Sequence, residues 1–140
     1  MTYDIVVWLM LALAAFTTFF SHHIITLFFG PEYQNAAGVL SIHIWSIIFI
    51  AMATVSGRYL INEGLQKVTM QRHLLGVLLN LPLNFVMIPI YGIEGAAIAS
   101  LLSLALANYC YDALSPATRI CFIQKSRAFI AYGLIQTLRK

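Results

Sequence analysis

Of 140 residues, 61% are apolar and only 9% are Asp, Glu, Lys or Arg, against roughly 45–50% apolar and roughly 25% charged in an ordinary soluble domain. Eight basic and five acidic side chains cannot clothe a globule of this size in water, so the composition excludes a water-soluble domain and points to an integral membrane protein. The net charge of +3 does not indicate nucleic acid, because the basic residues lie between apolar blocks rather than along one polar face.

Ile5 to Phe29 is an uncharged run of 25 residues, longer than the roughly 20 that cross a hydrocarbon core as a helix. It is predicted as the first span. Met1 to Asp4 carry no basic side chain, and the run exceeds the roughly 7–15 residues of a signal-peptide core, so the span reads as retained. Residues 36–57, 74–91 and 95–114 supply three more apolar blocks. Gly30-Pro31 and Gly92 break the chain between blocks, and the short link Gly92-Ile93-Glu94 forces the last two spans into an antiparallel hairpin. The predicted fold is all-α: a four-span domain over residues 1–115, then a basic tail over 116–140.

Short loops rich in Lys and Arg stay in the cytoplasm. Arg58, Lys67 and Arg72 are placed between the second and third spans, and Arg119, Lys125, Arg127, Arg139 and Lys140 all follow the fourth. The two links on the other side carry only Glu32 and Glu94. Both termini are therefore expected in the cytoplasm. The tail mixes its cations with Phe122, Ile123, Phe129, Ile130, Leu134 and Ile135. Its apolar core, Ala128 to Leu138, is too short to span and suits an interfacial helix on anionic lipid.

Within the third span, Asn80 and Asn84 lie four apart on one helical face, and Pro82 between them removes a backbone donor. The expectation is a bent helix with a polar patch, which either lines a substrate cavity or hydrogen-bonds a neighbouring helix. In the fourth span small residues recur at Gly95, Ala99, Ser103 and Ala107, a stripe that lets a neighbouring backbone approach closely. Asn108 and Asp112 follow near the cytoplasmic interface, within reach of Arg119, as an ion-pair or gate contact. Arg58, directly after the second span, either snorkels to lipid phosphate or faces a cavity and attracts a phosphate.

His22 and His43 are expected at similar depth on adjacent antiparallel helices, with His23 beside them. Two imidazoles so placed suit a haem iron, a proton relay, or simple hydrogen bonding between helices. Cys110 and Cys121 show no C-x-x-C spacing and predict neither a disulfide nor a zinc site. Soluble-type catalytic and nucleotide-binding motifs are absent, so nothing supports an enzyme, a metal or a resident cofactor.

Three strings carry a further signal: Leu27-Phe28-Phe29-Gly30-Pro31-Glu32-Tyr33-Gln34-Asn35-Ala36-Ala37, then Asn62-Glu63-Gly64-Leu65-Gln66-Lys67, then Ile88-Pro89-Ile90-Tyr91-Gly92-Ile93-Glu94-Gly95-Ala96-Ala97-Ile98-Ala99-Ser100. Together they resemble the polysaccharide and O-antigen flippases of the multidrug/oligosaccharidyl-lipid/polysaccharide exporter superfamily, over about residues 20 to 115. The resemblance implies a carrier of the bacterial cytoplasmic membrane, built of two six-helix lobes around a cavity. Such a carrier moves an undecaprenyl-diphosphate-linked sugar repeat unit by alternating access. The chain would then correspond to the ninth to twelfth spans, part of the C-terminal lobe, and depend on the missing N-terminal lobe as partner. Asn80, Asn84 and Arg58 would meet the glycan, with Asn108 and Asp112 at a gate. Two other readings are a small proton-coupled exporter, against which stands the absence of a carboxylate within residues 5–29, and a haem-binding subunit using His22 or His23 with His43.

Overall fold

A computed structural model describes residues 2–130, and among these every regular element is a helix. Four helical stretches are long and apolar enough to cross a membrane: Thr2–Phe29, Ala36–Asn62, Gln66–Tyr91 and Ile93–Leu114. All four predicted spans are present, with longer ends than composition marked. The third differs most. It begins at Gln66, so Arg72 is not in a loop but inside the helix, and buried.

The first span is the single helix α1, Thr2–Phe29. Gly30, at φ 96°, and Pro31 turn the chain. The second span is broken into α2, Ala36–His43, and α3, Ser46–Asn62. At the break the Trp45 amide donates to the Ile42 carbonyl, a tightened turn that leaves the Ser41 carbonyl without its usual helical donor. The Thr18 hydroxyl of α1 stands 3.2 Å from that carbonyl, and the Trp45 indole N–H donates to the same Thr18 oxygen at 3.2 Å. The one Thr18 hydroxyl proton is shared with the Ala14 carbonyl at 2.8 Å, so a polar side chain from the neighbouring span lies against the irregular backbone where a bilayer offers no water.

Helix α4, Gln66–Tyr91, stays helical through Pro82 and Pro89. Gly92, at φ 58°, turns it directly into α5, Ile93–Ala105. Here glycine is required twice. Gly92 holds a left-handed φ, and a Cβ on Gly95 would collide with the Met87 carbonyl. The stripe that follows, Gly95, Ala99, Ser103 and Ala107, is buried along its whole length. The fourth span then passes through a π-helical turn, Leu106–Cys110, into the short α6, Tyr111–Leu114. After Ser115-Pro116 the chain folds back as α7, Arg119–Phe129.

Packing follows the chain. Helix α1 lies against α2 and α3, α2 against α5, and α5 against its hairpin partner α4. Helix α3 touches both α4 and α5, and α7 packs on α1 and the π-turn. Val7, Ile48, Met52 and Ala128 form a small core beneath Trp45 and Tyr109. Helix α7 is therefore not simply laid on the bundle's rim: Cys121, Lys125 and Ala128 are buried, while Ile120 and Ile123 stay exposed. Leu134, Ile135, Arg139 and Lys140 of the predicted interfacial segment lie outside the described residues. On the far side of α4, Leu74, Leu78, Phe85 and Val86 are exposed, the apolar surface of a span that faces hydrocarbon.

Candidate functional site

Because α2 and α3 meet α5 along one edge and α4 meets it along another, the space between them opens as a groove with α5 as its floor. Two adjoining depressions make up this groove. One, of about 420 Å³, is lined by His43, Arg72, His73, Gly76, Asn80, Ser100, Ser103 and Asn108, with apolar residues between them. The other, of about 260 Å³, lies toward the end of the bundle that holds Arg58, and is lined by Thr54, Gly57, Arg58, Thr69, Arg72, His73 and Asn108. Arg72, His73, Leu104 and Asn108 belong to both. Of the residues singled out by sequence, Arg58, Asn80 and Asn108 thus come together on one groove.

Asn80 and Asn84 do not stand free in it. The Asn80 side-chain N–H₂ donates to Ser103 Oγ at 3.2 Å and lies 3.5 Å from Ser100 Oγ on α5. Asn84 donates to the Asn80 side-chain oxygen at 2.8 Å and to its carbonyl at 2.9 Å. The pair forms a polar ladder from α4 to the small-residue stripe of α5. Asn84 is tied to the groove through Asn80, which lines it.

Beneath the groove sits a charge cluster that sequence reading assigned differently. Asp112 is fully buried, and its partners are not Arg119, which is exposed, but Arg72 and Lys125. Arg72 Nε lies 3.0 Å from Asp112 Oδ1, and Lys125 Nζ lies 2.7 Å from Oδ2. Arg72 Nη1 also donates to Ser56 Oγ at 2.9 Å, and Lys125 Nζ donates to the Asn108 carbonyl at 2.6 Å. Arg72 Nε and Nη2 and Asp112 Oδ1 are buried with no hydrogen-bond partner, so the Arg72–Asp112 contact is one of charge. Burial draws the Lys125 ammonium below its ordinary range while the Asp112 carboxylate opposes the shift. Burial and the same carboxylate push the neighbouring Cys121 thiol up, so this cysteine is an unreactive, packed thiol.

A sequence signal for Arg72 existed. Arg72, Gly76, Asn80 and Asn84 recur at every fourth position, so the polar stripe of Asn80 and Asn84 continues two turns back on the same face of one helix. Counting Arg72 as a loop cation concealed it.

His43 lines the groove together with His73 and Asn80, whereas His22 and His23 line a separate depression with Thr26 and Gln34, toward the Phe29 end of α1. The histidines expected at matched depth therefore face different spaces. Among the described residues no three His, Cys, Asp or Glu side chains converge as metal ligands. Cys110 is exposed and Cys121 buried, both as free thiols.

A family model described as MatE matches residues 2–86. No curated protein and no solved structure matches the chain.

Proposed function

The chain belongs to the MatE family, within the multidrug/oligosaccharidyl-lipid/polysaccharide flippase superfamily, and from that membership we propose that it is part of a carrier that flips an undecaprenyl-diphosphate-linked glycan across the bacterial cytoplasmic membrane. The family is one of multi-pass membrane transporters, not enzymes. The observation that carries the finer reading is the groove, a largely apolar wall set with Arg58, Arg72, His73, Asn80 and the serines of α5. Its cationic end, with Arg58 and His73, suits phosphate oxygens. Its inner end, with Asn80 and the serines of α5, suits sugar hydroxyls, because amides and hydroxyls both donate and accept without the cost of a buried charge. Arg58 and Asn80 are the substrate contacts in this proposal, Asn84 acts by holding Asn80, and Asn108 and Asp112 belong to the gate.

Alternating access needs a second bundle against which this one rocks. We therefore propose the N-terminal lobe of the carrier as partner, with the groove facing it. Introducing Asn80→Leu and Asn84→Leu into a complete carrier, at matched membrane abundance, is expected to lower surface polysaccharide at least about tenfold, a loss of about 1.4 kcal/mol in the transport step. Wild-type polysaccharide in the double variant would remove the amides from the transport path. The four-span chain expressed alone is expected not to complement a flippase deletion.

The orientation proposed is cytoplasmic for both termini, since in sequence the eight Lys and Arg residues lie either from Arg58 to Arg72, about the junction of the second and third spans, or after the fourth span. A reporter fused after Lys140 or inserted near Lys67 is expected to read as cytoplasmic, and one near Gln34 as periplasmic. A periplasmic signal from the Lys140 fusion contradicts the orientation.

A further inference from the structure

Gly57 of α3 has no backbone or packing reason to be glycine. It lies within the helix and is not among the glycines at positive φ, so any L-residue fits its conformation. A Cβ there would meet nothing within 4 Å, whereas on Gly76 it would touch Ala107 at 3.5 Å and on Gly95 it would strike the Met87 carbonyl. Gly57 is nevertheless buried, and it lines the 260 Å³ depression beside Arg58. Empty space between helices in lipid forfeits the dispersion that holds them together, and glycine weakens a helix. Gly57 is unfavourable on both counts, and what it leaves is room next to a guanidinium.

Two polar groups on the walls of that room are uncommitted. A hydroxyl inside a helix commonly donates to the carbonyl one turn back, as Thr18 does to Ala14 at 2.8 Å and Thr54 to Ile50 at 2.9 Å. Thr69 Oγ1 is buried and has no hydrogen-bond partner among the described residues, and Arg72 Nη2, one turn further along α4, shares that state. Both residues line the same depression as Gly57 and Arg58. Buried donors without acceptors are rare in native proteins and call for an explanation. The charge around them is positive: Arg58 stands there, Arg72 and Lys125 share the single Asp112 carboxylate, and no Asp or Glu is among the lining residues. The acceptor that fits is an oxyanion.

We propose that this depression is the seat of a diphosphate group and that Gly57 determines what can enter it. Thr69 and Arg72 supply buried donors from α4, Arg58 supplies an exposed cation from α3, and Gly57 supplies the space. A phosphoryl group presents several acceptor oxygens at once and so can meet donors from both helices. Gly57 is in this respect a specificity-determining residue: a side chain at its position closes the seat without disturbing the bundle. The inference rests on the groove as the path of a diphosphate-linked glycan, but the two fail separately. Transport is read as surface polysaccharide in a complete carrier, whereas the seat is read as binding to this chain.

The full chain in a non-ionic detergent is titrated with inorganic diphosphate and with farnesyl diphosphate, and unfolding midpoints are measured alongside. The unaltered chain is expected to bind the diphosphate group. Gly57→Leu is expected to weaken binding at least about tenfold by filling the seat without lowering the midpoint, because its Cβ meets no atom and leucine favours the helix. Thr69→Val keeps the shape and removes the hydroxyl. It is expected to weaken binding about tenfold, again without a lower midpoint, since the hydroxyl has no partner in the protein to lose. Equal affinity for the two probes supports a seat for the free oxyanion, and tighter binding of farnesyl diphosphate supports a seat for a prenyl-linked headgroup. Failure of the unaltered chain to bind either probe overturns the proposal, as does undiminished affinity in Gly57→Leu. A midpoint in Gly57→Leu lowered as far as in Ala99→Leu also overturns it, because the glycine then serves packing.

Discussion

Arg72→Glu is expected to lower the stability of the bundle by about 3–5 kcal/mol, the cost of leaving a buried charge without its partner. The arginine is 2% exposed and lies 3.0 Å from a fully buried carboxylate, so a glutamate there sets two carboxylates against the single Lys125 ammonium. The substitution also abolishes the donation to Ser56 that joins α4 to α3. Lys67→Glu, one turn earlier on the same helix and exposed, changes the charge by the same amount and is expected to shift stability by less than about 0.5 kcal/mol. Denaturant or heat titration of both variants in the same detergent decides the matter, and equal effects would mean that the buried cluster carries no special share of the stability.

Ala99→Leu is expected to cost about 1–3 kcal/mol or more. Ala99 is fully buried, on the stripe whose backbone runs close enough to the returning helix that a Cβ on Gly95 would strike the Met87 carbonyl. Between helices in lipid there is no hydrophobic drive to offset lost contact, because the alternative surroundings are equally apolar. The added side-chain carbons therefore push α5 from α4 and gain nothing. Ser103→Leu adds the loss of the acceptor for Asn80. Val86→Leu, on the exposed face of α4, serves as the lipid-facing control, and equal unfolding midpoints for the stripe and control variants would dispose of the close-packing account.

The positions of the four spans, the hairpin at Gly92 and the close-packed stripe follow from the sequence by itself, because each rests on a local rule. An apolar run of sufficient length has no stable alternative to a helix in hydrocarbon, a link as short as Gly92-Ile93-Glu94 admits only a hairpin, and small residues at every fourth position fall on one face. The polar pair Asn80 and Asn84 was legible for the same reason, and so was the family, carried by strings around turns where the backbone itself restricts the residues. Tertiary structure alone decided the partners. Asp112 chose Arg72, far earlier in the chain, and Lys125 over the nearer Arg119, because burial strips water from the carboxylate and only cations brought in by packed helices replace it. It also separated His43 from His22, since depth along a helix is readable from spacing whereas the direction in which a side chain points depends on how the neighbouring helices rotate.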